Sequence, residues 1–296
     1  MARDFAYRNH AHTQRKITGK TGGRTPRDRT RRTLSQNFLV DPAVVDAMLA
    51  VAEPTGTILE PGAGEGVLTC ALAEHGTQVT AYEIDPLLAT RLTARTRADN
   101  RIRVVRGDFT KAKAPRTPFA VVGNIPYSVT AGIVDWCLTA PNLTSATLLT
   151  QREYARKRTG DYGRWSLLTA TTWPWFTWEL RGSVPRTSFR PIPSVDSAIL
   201  RITRRPKPLV QHRDSYVDLV RTGFSGIGGT VRASLHTRYQ GVDKALMSVG
   251  IANDTVVAHV HPDQWVALHP MLIHRSPAEL PSAHRNGSSA AVLKIE

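Results

Sequence analysis

The chain has 296 residues, enough to bury a substantial core in one large domain with a smaller companion. Its 39 Lys and Arg outnumber 24 Asp and Glu, and the resulting net charge of +15 calls for a polyanionic partner, a polyphosphate before a membrane. No apolar run approaches the roughly 20 residues of a bilayer span, no apolar signal-peptide core is present, and Cys70 and Cys137 are too few for a disulfide framework, so a cytoplasmic protein is expected.

Residues 1–33 interleave Arg3, Arg8, Arg15, Lys16, Lys20, Arg24, Arg27, Arg29, Arg31 and Arg32 with Gly, Thr and His, without apolar periodicity. Such a stretch cannot fold on its own and reads as a disordered arm. It serves either as a solubilising tail or as a nucleic-acid arm that orders on contact, and the overall charge favours the second. The basic composition is also compatible with a transit peptide.

Order is expected from Leu34-Ser35-Gln36-Asn37-Phe38-Leu39. Asp41 then caps a helix with Pro42 at its first position, and Val44, Val45, Met48, Leu49 and Ala52 form its apolar stripe. Thr57-Ile58-Leu59 is a strand that runs into Glu60-Pro61-Gly62-Ala63-Gly64-Glu65-Gly66, followed by a helix from Val67. Strand, glycine-rich turn and helix open a nucleotide-binding α/β unit. The spacing G-x-G-x-G departs from the dinucleotide pattern, and the Glu60 carboxylate before it would repel a phosphate and welcome a sulfonium or ammonium.

Gln78 to Glu83 alternates as a second strand, and Glu83 lies where an acid can hold the two hydroxyls of a ribose; Asp85 caps the helix that begins at Pro86. A third strand from Arg103 ends in Gly107-Asp108-Phe109. Asp108 can accept from an exocyclic amine or simply cap the loop, and Phe109 can flank a ring.

The fourth strand, Phe119-Ala120-Val121-Val122, delivers Gly123-Asn124-Ile125-Pro126-Tyr127. Pro126 fixes its own φ and keeps Ile125 out of the helical region, so the Ile125 carbonyl is held extended beside the Asn124 carboxamide. Two acceptors and the flat Tyr127 ring suit an exocyclic amine on a planar base, such as adenine N6; a rigid turn at a strand end is the plainer alternative.

Ser145 to Leu149 is a fifth strand, and the basic run from Gln151 to Arg158 faces solvent or a phosphate. Trp173, Trp175, Phe176 and Trp178 read as core before a stacking platform. Two prolines stiffen Phe189-Arg190-Pro191-Ile192-Pro193, where Phe189 could close over the site, and Ser197 to Ile202 is a final strand. Beyond the linker Arg204-Arg205-Pro206-Lys207-Pro208, Tyr216, Val217, Val220 and Phe224 recur at helical spacing. Short helices with a basic face follow to about Ile273, then a Ser-, Ala- and Pro-rich tail. The ten histidines show no metal-ligand spacing.

In this order, Ser35-Gln36-Asn37-Phe38-Leu39, the Glu60–Gly66 loop, Tyr82-Glu83-Ile84-Asp85, Gly107-Asp108-Phe109, Asn124-Ile125-Pro126-Tyr127 and Phe189-Arg190-Pro191-Ile192-Pro193 make the chain resemble the ribosomal RNA adenine N6-methyltransferases. Ile125, the Ser35-Gln36-Asn37 lead-in and the Arg-rich arm resemble the erythromycin-resistance (Erm) branch; the small-subunit branch, which dimethylates two adjacent adenines of 16S RNA, is the alternative. A non-catalytic RNA-binding relative of the same fold is a second.

The resemblance covers residues 34 to about 275 and implies an α/β fold: a Rossmann-like S-adenosylmethionine-dependent methyltransferase sheet over residues 34–206 and a small C-terminal helical RNA-binding domain over 207–275; residues 276–296 read from composition as a disordered tail. It implies S-adenosylmethionine as donor, an adenine of 23S ribosomal RNA as acceptor, resistance to macrolide, lincosamide and streptogramin B drugs, and a monomer acting on naked RNA or immature large-subunit particles. It carries donor contacts onto Asn37, Leu39, Gly62, Glu83, Asp108 and Asn124. Asn124 and Tyr127 become the target-base pocket, with Phe189 as its second stacking wall.

Overall fold

The computed structural model describes residues 37–273. The basic arm 1–33, the start of the lead-in through Gln36, and the tail 276–296 lie outside the described residues, as do positions 274 and 275.

The elements in order are β1 Phe38–Leu39, α1 Pro42–Ala52, β2 Thr57–Pro61, α2 Val67–Glu74, β3 Gln78–Glu83, α3 Pro86–Thr96, β4 Ile102–Arg106, β5 Phe119–Asn124, α4 Thr130–Thr139, β6 Leu143–Gln151, α5 Arg152–Thr159, α6 Leu167–Thr172, β7 Phe176–Val184, β8 Phe189–Arg190, β9 Ser197–Arg204, α7 Arg213–Gly223, α8 Val231–His236, α9 Val242–Ser248 and α10 Pro262–Ile273. The expected caps form: Asp41 Oδ1 accepts from the Ala43 N–H, and Asp85 Oδ1 from those of Leu87 and Leu88. The buried side chains of α1 are Val44, Val45, Met48, Leu49 and Ala52, the stripe that its periodicity predicts.

Seven strands form one sheet in the order β4-β3-β2-β5-β6-β9-β7. The first five are parallel; β9 pairs antiparallel with both β6 and β7. The chain starts at β2, steps outward to β3 and β4, then returns to the other side of β2 with β5. That reversal opens a crevice at the carboxyl ends of β2 and β5, where open parallel sheets hold their ligands. β7 is absent from the sequence expectation, as is the two-residue antiparallel ladder that joins β1 to β8.

Both sheet faces are buried, so neighbouring residues on a strand serve opposite cores. Ile58, Val122, Leu149 and Ile199 pack with α1 and α2 on one side. Leu59, Val121, Leu148 and Leu200 pack on the other, in a cluster that continues without a break into Tyr216, Leu219, Val231, Leu246 and Trp265 of the helical segment. Tyr216 Oη donates to the Ala170 carbonyl at 2.9 Å, and its ring meets Trp175 edge-on. The helices after the linker thus share a core with the sheet. Trp175, Phe176 and Trp178 are buried, as the core reading of that cluster expects. Among the described residues no helix is long and apolar enough to cross a membrane.

Candidate active site

The loops after β2, β3, β4 and β5 converge at the carboxyl edge of the sheet. Gly62 follows β2 with φ +72°, a left-handed conformation that glycine adopts without strain. A Cβ there would sit 3.3 Å from Pro126 Cδ and 3.6 Å from the Asn124 carbonyl oxygen. The glycine turn and the Asn124–Tyr127 loop therefore line opposite sides of one narrow space.

Glu83 ends β3 and is 2% exposed. Its Oε2 accepts from the Gly64 N–H at 2.7 Å and its Oε1 from the Asp85 N–H at 2.8 Å. The carboxyl is clamped between the glycine turn and the start of α3. Burial raises its pKa above the ordinary carboxylate value, against the lowering effect of those backbone bonds.

Glu60 departs from expectation. Its side chain is 2% exposed and turns inward, accepting from Thr69 Oγ1 of α2 at 2.5 Å. Burial pushes its pKa up to about 8. Turned inward onto Thr69, this carboxyl does not stand where it would repel a phosphate or welcome a sulfonium, as the sequence reading expects; the acid hydrogen-bonded to the turn is Glu83.

Asp108 caps the short turn Phe109–Lys111, its Oδ1 accepting from both the N–H and the hydroxyl of Thr110. Those bonds hold its pKa below the usual carboxylate range. Oδ2 lies 4.0 Å from Lys111 Nζ, so the carboxylate combines capping with a charged face beside the loop. Phe109 is buried, packed edge-on against Tyr82 and tilted against Trp136. It stiffens the loop from below and offers no face to a ligand.

Asn124 is the last residue of β5. Its Nδ2 donates to the Asn37 carbonyl at 2.9 Å, so the carboxamide is oriented with Oδ1 as its remaining acceptor. Tyr127 is half-buried, and its hydroxyl shares a 2.6 Å hydrogen bond with Ser197 Oγ at the start of β9. Burial raises the Tyr127 pKa, which keeps the phenol neutral. Ser197 has no signal of its own in the sequence; the antiparallel return of β9 brings it there.

Two expected residues are placed differently. Phe189 is 1% exposed and packs in the cluster that holds Leu39, Val184 and Ile199, so its ring presents no free stacking face. The β1–β8 ladder explains this: alternation along β8 turns Phe189 inward and leaves Arg190 outward. Leu39, paired with Phe189, is buried in the same cluster, which leaves its main chain for any ligand contact. Asn37, Gly62, Glu83 and Asn124 are joined through direct contacts or the shared glycine turn, whereas Asp108 stands one strand further out.

A model of the ribosomal RNA adenine dimethylase family matches residues 27–273. The chain is 50% identical over 258 residues to an rRNA adenine N-6-methyltransferase of Aeromicrobium erythreum, covering 85% of this chain and 76% of that protein. It is 38% identical over 251 residues to the mycinamicin-resistance protein MyrB of Micromonospora griseorubida, covering 83% and 80%. The crystal structure of the 23S rRNA methyltransferase ErmE superposes with a TM-score of 0.76 at 47% identity, over 80% of this chain and 99% of that one.

Proposed function

The chain belongs to the ribosomal RNA adenine dimethylase family, and on that premise we propose that it methylates N6 of a specific adenine in 23S ribosomal RNA, using S-adenosylmethionine, and so confers macrolide, lincosamide and streptogramin B resistance. The observation that carries the reading is the Asn124 carboxamide, locked by Asn37 with Oδ1 free to accept, on the far side of the space that Gly62 keeps open.

The donor fits the residues present. A Cβ at position 62 would fill the space between glycine turn and acceptor loop, and Glu83 and Asp108 present carboxyl groups at adjacent strand ends. Glu83 would accept from the ribose hydroxyls, Asp108 from the amine of the donor's adenine, and the Asn37 and Leu39 main chain would close the methionine end. When bound, the donor supplies an electrophilic methyl group on a sulfonium.

The chain's own contribution is positional. Asn124 Oδ1 and the Ile125 carbonyl accept the two N–H bonds of the target amine, which favours a pyramidal nitrogen with its lone pair directed across the space. Tyr127 stacks on the unpaired base, with its ring fixed by Ser197. No side chain has to remove the proton before the transfer. The enzyme acts as a cytoplasmic monomer on naked RNA or immature large-subunit particles, and the basic arm 1–33 adds salt-sensitive affinity for the RNA.

Primer extension on ribosomal RNA from cells with and without the gene tests the substrate. A gene-dependent stop in the macrolide-site region of 23S RNA is expected. A stop in 16S RNA would move the chain to the small-subunit branch, and no stop in either RNA would sink the enzymatic reading. Deleting residues 1–30 should weaken RNA binding and flatten its salt dependence.

A further inference from the structure

Resting on that reading, we propose that Ile192 is the wedge that enters the RNA stack when the target adenine leaves it. An adenine cannot reach Asn124 from within a stack, and unstacking it opens a gap whose cost an inserted apolar side chain offsets. Phe189 is packed inside and cannot serve. Ile192 is 52% exposed and stands between Pro191 and Pro193, whose rings fix their own φ angles and confine the loop.

The loop Pro191–Asp196 is fastened at both ends to the pocket. At its start, β8 pairs with β1, which directly follows Asn37, the residue that orients Asn124. At its end, the Asp196 carbonyl accepts from the Arg152 N–H at 3.0 Å, and its Oδ1 accepts from the Arg186 N–H at 3.2 Å. The next residue, Ser197, holds the Tyr127 hydroxyl. The residues between these anchors are therefore tethered at both ends next to Asn37, Asn124 and Tyr127 of the base pocket. A single exposed isoleucine is ordinary on a protein surface. One fixed between two prolines, on a loop tied to both sides of a base pocket, has a defined position relative to that pocket. Arg186 and Arg190, exposed on either side of Phe189, supply charge for the phosphates that flank an extruded nucleotide.

The test compares the full-length protein with Ile192→Ala and Ile192→Leu on two short 23S RNA hairpins. One carries the acceptor adenine in its ordinary strand; in the other, abasic residues flank it, so that it is already unstacked. Ile192→Ala should lose roughly tenfold or more in kcat/KM on the first and stay within about twofold of the parent on the second. Ile192→Leu should restore the first, and donor affinity should not change. With 2-aminopurine at the acceptor position, Ile192→Ala should bind the RNA yet give a smaller fluorescence rise. Equal losses on both hairpins, or none on the stacked one, would overturn the wedge. Failure of the parent protein to methylate either hairpin would strike the proposed function instead.

Discussion

Asn124 Nδ2 donates to the carbonyl of Asn37 at 2.9 Å, tying the end of β5 to a residue 87 positions earlier. The bond selects which end of the carboxamide faces the pocket. Replacement by Asp keeps the size and removes the N–H, leaving a carboxylate against a carbonyl oxygen. Asn124→Asp and Asn124→Ala should both lose about a hundredfold or more in single-turnover methylation. Calorimetric titration with S-adenosylmethionine should show donor binding largely intact. Unimpaired turnover by either variant would remove Asn124 from the acceptor role.

Tyr127 can be divided into ring and hydroxyl. Tyr127→Phe keeps the stacking face and loses only the bond to Ser197, a net contribution of about 1 kcal/mol. A roughly fivefold fall in kcat/KM is expected. Tyr127→Ala removes the ring and should cost ~1–3 kcal/mol more in binding of the unstacked base. Steady-state kinetics on one RNA hairpin separates the two; equal defects would argue against stacking.

Gly62→Ala forces a Cβ into the left-handed region, 3.3 Å from Pro126 Cδ. The strain is on the order of 1 kcal/mol, and it falls on the partition between the two halves of the site. Donor affinity should drop several-fold while the thermal midpoint falls by a few degrees. A variant with parental affinity would show that the space tolerates a methyl group.

Glu60 makes stability depend on pH. Its folded pKa of about 8 lies above its ordinary value of 4.5, because burial disfavours the charged form. Between those values the folded state holds a proton that the unfolded state has lost. Stability from this group is therefore full below pH 4.5 and drains as pH rises towards 8, with a slope of about 1 kcal/mol per pH unit. Glu83 adds repulsion in the same direction. Glu60→Gln removes this titration and should gain on the parent from pH 5 to pH 8 in denaturant melts. Parallel curves for the two proteins would show that Glu60 is ionised in the fold.

The site was legible where chemistry and backbone signals coincide. Caps at Asp41 and Asp85, the glycine turn, and acids at strand ends all carry local physical signatures, and the structure brings Asn37, Gly62, Glu83 and Asn124 together. β7 is hard to read from sequence because its alternation, Phe176, Trp178 and Val184 buried with Glu179, Arg181 and Ser183 between them, begins in a Trp- and Pro-rich cluster and breaks register near Gly182. Phe189 and Glu60 face inward for reasons that local sequence does not carry. A two-residue strand has no period from which to read its inner face, and an acid beside a glycine turn points inward only because Thr69 of α2 is there to donate.

The β1–β8 ladder also sets an order of events in synthesis. A nascent chain that has emerged as far as Val184 already holds the three donor-side loops after β2, β3 and β4 and the acceptor tetrapeptide, yet β1 has no partner strand and Tyr127 no Ser197. The pocket mouth is closed by contacts between distant parts of the chain, which form late. A chain cut short before Phe189 therefore carries the motifs of the site without the contacts that hold β1 and the Tyr127 ring in place.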